Sequence, residues 1–125
     1  MAQEETAGQI RGKHARRLPL EFAELLEPPV EHALNHPLRR SILRALNQSD
    51  GPRSAGEIAT ESLPKTGVTL INYHAAVLET CDIVRIAEDD PNGQSLARRY
   101  SSNVANDPQI AAILGATEPL DNLDA

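Results

Sequence analysis

Thr69, Asn72 and Tyr73 stand at a spacing that sets them on one face of a single helix, and all three are residue types that read nucleic-acid edges. An asparagine amide can make paired hydrogen bonds to an adenine edge. A threonine can bond a base or touch a thymine methyl, and a tyrosine can reach base or phosphate. Arg39, Arg40 and Arg53, then Arg85, Arg98 and Arg99, supply cations for phosphate, with His74 on the flank of the same helix. Arg98 and Arg99 are neighbours in an expected strand, so they point to opposite faces and at most one of them meets a duplex. The acidic triplet Glu88-Asp89-Asp90, at the turn just before that strand, repels phosphate.

Other chemistries find less support. Metal sensing needs thiolates, or histidines with carboxylates, at set spacings. The chain has one cysteine, Cys81, and its histidines His14, His32, His36 and His74 share no helix face at i, i+4. His32 and His36 are four apart, but Pro37 and the helix end expected near residue 35 spoil the geometry. Neither a metal nor a cofactor is expected. Cys81 sits where a small apolar residue closes a helix, which suits a buried, inert thiol. There is no phosphate-cradling glycine loop, no nucleophile-elbow pattern and no carboxylate pair tied to a pocket, so the chain does not read as an enzyme.

The elements that would carry these residues can be placed from apolar spacing. Leu18, Leu20, Phe22, Leu25 and Leu26 predict a helix near 20–26, broken by Pro28-Pro29, with Pro29 opening another near 30–35. Pro37 starts the next, near 38–47, with Leu38, Ile42, Leu43 and Leu46 on one face and the arginines elsewhere. Ser49-Asp50-Gly51-Pro52 is a turn. Ser54 and Glu57 form a capping-box pair for a helix near 55–61. From about residue 67 to 80, a stripe centred on Ile71 takes in Val68, Ala75 and Leu78, with Thr66 or Gly67 as cap. The period then changes. Ile83, Val84 and Ile86 predict a strand near 83–88, Asp90-Pro91-Asn92-Gly93 a turn, and 95–101 the return strand. A last short helix spans about 107–114.

Composition sets outer bounds. The 125 residues fit one domain with tails: a tail over 1–17, a domain over 18–104, and a helix with a loose acidic end over 105–125. Arg11, Lys13, Arg16 and Arg17 make the first tail basic. One Phe, two Tyr and no Trp leave the core to aliphatic residues. Small cores of that kind often need a partner. Leu18, Phe22, Leu25 and Leu26, with Ile110, Ile113 and Leu114, are the expected homodimer surface. Net charge is −6, which disfavours nucleic acid as a sum, yet residues 32–100 hold eight basic and eight acidic side chains. No apolar run is long enough for a bilayer, no secretory signal is visible at the start, and the single cysteine fits a reducing cytoplasm.

The order of these pieces is specific. HALNHPLRRSILRAL, then SAGEIA, then INYHAAVLETCDIVR, resembles the ArsR/SmtB-like winged helix-turn-helix transcriptional regulators over roughly residues 30–101. Asn35 to Arg39 matches the family's "ALxxPxRxxIL" opening, Ser54 to Ile58 its positioning helix, and Asn72-Tyr73-His74 with Val77-Leu78 its "SxHLxxL" helix. The chain departs from the pattern at Ala75, Ala76 and Asp82, where leucine, a basic residue and glycine are usual. The resemblance implies a mainly α fold with a small β-hairpin, a homodimer, and a regulator, usually a repressor, that binds double-stranded DNA and responds to an effector. No effector pocket is legible. The alternative is a protein-interaction module on the same scaffold, favoured by the absence of any Lys or Arg in Val68–Thr80 and by the acidic turn.

Overall fold

A computed structural model describes residues 17–87 and 98–117. Along them run α1 (Leu20–Ala23), α2 (Pro28–Leu34), α3 (Pro37–Gln48), β1 (Arg53–Ser54), α4 (Ala55–Glu61), α5 (Val68–Thr80), β2 (Val84–Ile86), β3 (Arg99–Ser102) and α6 (Pro108–Ala116). The architecture is mainly helical, with one small antiparallel sheet. No helix among the described residues is long and apolar enough to cross a membrane.

Prolines set the helix starts. Pro28, Pro37 and Pro108 each occupy the first position of a helix, where no amide hydrogen is needed. The residues before them, Glu27, His36 and Asp107, are held extended, as the proline ring requires. His36 also caps α3, its Nδ1 accepting the Leu38 amide at 3.1 Å. The expected capping box is present: Ser54 Oγ accepts from the Glu57 amide, and Glu57 Oε1 accepts from the Ser54 amide at 2.9 Å.

The far end of α5 closes by another local device. The Ile83 amide reaches back to the Leu78 carbonyl and the Asp82 amide to that of Glu79, which is the Schellman pattern. It forces Asp82 to φ 67°, left-handed backbone that glycine adopts most easily. Here an aspartate bears it, and its carbonyl is fixed by Asn103 Nδ2 at 3.0 Å.

The sheet has strand order β1-β3-β2, all antiparallel, with Arg53 opposite Tyr100 and Val84 opposite Ser102. Of the two strands expected near 83–88 and 95–101, β2 lies within the first and β3 covers the end of the second, while residues 88 and 95–97 lie outside the described residues. β1 was not expected. Two residues are too short for an alternating pattern, and Ser54 had been read only as a cap. Glu88-Asp89-Asp90 and the turn after it lie outside the described residues.

α3 is the centre of the molecule, packed against α2, α4, α5 and β3. It is enclosed nearly all round, with Arg39, Arg40 and Ser41 buried alongside Leu38, Ile42, Leu43 and Leu46. The single apolar face read from the sequence is therefore corrected: neighbours cover the arginine side too.

The expected dimer surface is corrected as well. Leu18, Ile110, Ile113 and Leu114 belong to the chain's own core, and Phe22 and Leu26 pack half-buried against it. The Leu18 amide is tied to Asn35 Oδ1 at 2.8 Å, which folds the N-terminal segment back onto the end of α2. Of the seven residues expected there, Leu25 alone is exposed. α6, placed by sequence in a separate C-terminal segment, completes the same core.

Candidate nucleic-acid interface

α5 lies over α3 and α4 through Ile71, His74, Ala75 and Leu78. Its outer side carries Thr69, Asn72 and Tyr73, all exposed, as their helical positions require. Val68 departs from expectation. It stands 60° from the stripe centre, on the first residue of the helix, and is only partly covered: it is 45% exposed, and Leu70 is 48% exposed.

Asn72 is oriented from the sheet. Tyr100, fully buried on β3, donates its hydroxyl to Asn72 Oδ1 at 2.9 Å. That bond uses one lone pair of the oxygen and leaves the other, with both amide hydrogens, for a partner outside the protein. Val68, Asn72, Arg98 and Tyr100, with Ser54 and Gly56 opposite, line a groove of about 300 Å³ between α4, α5 and the sheet. Arg98 is exposed and makes no hydrogen bond or ion pair among the described residues. Arg98 and Tyr100 are two apart, so both face α5; alternation resolves which of the arginine neighbours does so.

The other basic candidates are spent, wholly or in part, inside the fold. Arg39 Nε donates to the Ala33 carbonyl at 2.8 Å, and Nη2 to that of His32. Arg40 Nη1 donates to the Leu34 carbonyl at 2.7 Å. The two thus cap the last carbonyls of α2, which Pro37 prevents from continuing as one helix with α3. At 8% and 2% exposure neither reaches a phosphate, and the role expected for both is withdrawn. His74 is withdrawn for the same reason: it is 7% exposed, and its Nδ1 accepts from Arg39 Nη1 at 3.1 Å.

Arg53 pairs with Glu61 at 2.9 Å, and Arg99 donates to the Pro52 carbonyl with Glu57 at 3.5 Å. Arg85 remains exposed but bonds the Ser102 carbonyl and Asn103 Oδ1. These three stay at the surface with reduced freedom to reach outward.

Burial shapes the electrostatics under α5. His36 and His74 lie 4.3 Å apart between ring centres with their planes tilted by 39°, and Tyr73 meets the His74 ring edge-on. Burial, then the nearby His74, Arg39 and Arg40, push the His36 pKa down to about 4. Burial and Arg39 lower His74 too. Both rings are neutral acceptors at neutral pH, so Arg39 carries the charge of this cluster.

Sequence reading missed Lys65, exposed in the turn that leads into α5 and without a partner among the described residues. Its place, three residues before Val68, was the signal available. Cys81 is half-buried against the core with a free thiol. Among the described residues no group of His, Cys, Asp and Glu is arranged to hold a metal ion. No family model, curated protein or solved structure matches the chain.

Proposed function

We propose that this chain is a winged helix-turn-helix transcriptional regulator that binds double-stranded DNA, with α4 and α5 as the helix-turn-helix and β2–β3 as the wing. The observation that carries the reading is Asn72, exposed on the outer face of α5 and held in one orientation by the buried Tyr100 hydroxyl. A preoriented amide on an open helix face is suited to a base edge, and little ordering entropy remains to oppose contact. β1, joining the sheet from between α3 and α4, supports the winged arrangement.

Lys65, in the turn before α5, and Arg98, beside the groove that Val68 and Asn72 line, are the groups proposed to meet phosphates. α5 itself positions Thr69, Asn72 and Tyr73 for bases. A homodimer is proposed through Leu20 and Leu25, which are 69% and 63% exposed on the N-terminal segment. The resemblance to ArsR/SmtB-like regulators supports the same arrangement and a cytoplasmic repressor.

A second reading has an observation of its own. Leu70 and Tyr73 stand side by side and exposed on one flank of a helix without a cation, with Val68 exposed on the other flank, as a protein-docking helix would present them. Equilibrium binding to duplexes upstream of the chain's own gene, over a salt series, separates the two. Sequence-selective binding that Asn72→Ala weakens about 5- to 150-fold supports DNA. Absence of duplex binding at low salt favours protein docking.

A further inference from the structure

Which base pairs α5 can read depends on what its exposed turns lack as well as on what they carry. Val68–Thr80 contains no Lys or Arg, and its one charged residue, Glu79, is at the far end. The paired acceptors of guanine are commonly met by an Arg or Lys fork, and this helix has neither. It does have an asparagine, the residue whose amide matches the donor–acceptor pair of adenine.

Its first turn then offers carbon. Val68 and Leu70 are each nearly half exposed, with Thr69 exposed between them. At 100° per residue Val68 lies beside Asn72 and Leu70 beside Tyr73, on either flank of Thr69. A helix entering a major groove about 12 Å wide brings both flanks against the groove walls. The apolar feature of the base edges is the C5 methyl of thymine, which projects into the groove close to the backbone of its own strand, where a helix flank passes.

Charge around this end of the helix favours a polyanion. Glu57 is held by the Ser54 amide and lies near Arg99, and Glu61 is paired with Arg53, so both α4 carboxylates are offset. Lys65 and Arg98 are left unpaired among the described residues.

We infer that α5 reads an A·T-rich half-site core, with Asn72 on adenine, Val68 and Leu70 against thymine methyls, and no bidentate guanine contact from this helix. The inference rests on the DNA-binding reading above and names the sequence class that such binding would select.

The test is selection of the full chain against a random-sequence duplex pool, followed by replacement of selected thymines with deoxyuridine. The expected result is enrichment of A·T pairs at the centre of each half-site. Removal of a contacted methyl should then weaken binding about fourfold, the value of one buried carbon. Val68→Ala or Leu70→Ala should abolish the uridine penalty at one thymine position, and Asn72→Ala should leave that penalty in place. A G·C core, or uridine duplexes bound as tightly as thymidine ones, overturns the inference and leaves DNA binding intact. Enrichment of no sequence, together with no binding to any duplex at low salt, overturns DNA binding itself.

Discussion

The Tyr100 hydroxyl on β3 and the Asn72 amide on α5 meet at 2.9 Å across 28 residues of sequence. This bond couples the small sheet to the exposed face of the helix at one atom. The rest of the Tyr100 ring is core, fully buried, so the hydroxyl can be removed without emptying the space.

Tyr100→Phe should therefore keep the fold, costing about 0.5–1.5 kcal/mol for one hydrogen bond. Specific duplex binding should fall by about 3- to 10-fold as Asn72 regains its rotamers, while non-specific binding is unchanged. Unfolding midpoints and paired operator and random-duplex titrations read the two effects separately. An equal loss on both duplexes would mean that the hydroxyl acts on general stability alone.

Arg39 and Arg98 should behave as opposites. Arg39→Ala strips the His32 and Ala33 carbonyls and His74 Nδ1 of their shared donor inside the core. A cost of about 2–4 kcal/mol in urea unfolding is expected, since hydrogen bonds to a buried charge are among the stronger ones. Arg98→Ala should move stability by no more than about 0.5 kcal/mol. Its effect should fall on salt dependence. With Lys65 and Arg98 from each of two protomers, log K against log salt should slope by about −3.6, and the Arg98 variant by about −1.8. A wild-type slope near zero would remove both cations from the interface.

Local rules made much of the fold legible. Proline at helix starts, the Ser54–Glu57 box and the Ile71–Ala75–Leu78 stripe are each set by a few adjacent residues, and each is found. Features that depend on distant chain were not legible. The pattern around Arg39 and Arg40 separates charged from apolar positions, but it does not say that the end of α2 needs donors there. That need arises because His36-Pro37 turns the chain and leaves α2 carbonyls beside α3. Periodicity gives Val68 an angle, and only the packed neighbours decide whether the angle is covered. Tyr100 showed no sign of a role, because its partner is on another element. The exposed trio Thr69, Asn72 and Tyr73 followed directly from helical spacing; the cations around it did not.

Asp82 offers a stabilising change. At φ 67° an L residue with a Cβ is strained by about 1–2 kcal/mol, while glycine adds about 0.5–1 kcal/mol of unfolded-state entropy. Asp82→Gly should raise stability by about 0.5–1 kcal/mol, seen as a higher unfolding midpoint with unchanged denaturant slope. The helix end and its bonds to Leu78 and Glu79 use backbone only, so they survive the change. A lower midpoint would show that the aspartate side chain contributes more than its backbone strain costs.

Acid should act through His36. In the unfolded chain this ring titrates near its ordinary value of 6.5, and in the fold burial and the adjacent His74, Arg39 and Arg40 bring it down to about 4. Between those values the unfolded chain takes up a proton that the folded chain refuses. Its contribution to stability is therefore complete above about pH 6.5 and is lost as pH falls toward about 4. His74, lowered by burial and Arg39, works in the same direction. Protonation of His36 would also turn the Nδ1 acceptor of the α3 cap into a donor facing the Leu38 amide. His36→Asn keeps a cap acceptor and removes the titration. Urea midpoints measured from pH 7 to pH 4.5 should fall less for this variant than for the wild type. Equal slopes in the two proteins would assign the acid sensitivity to other groups and leave His36 as a cap alone.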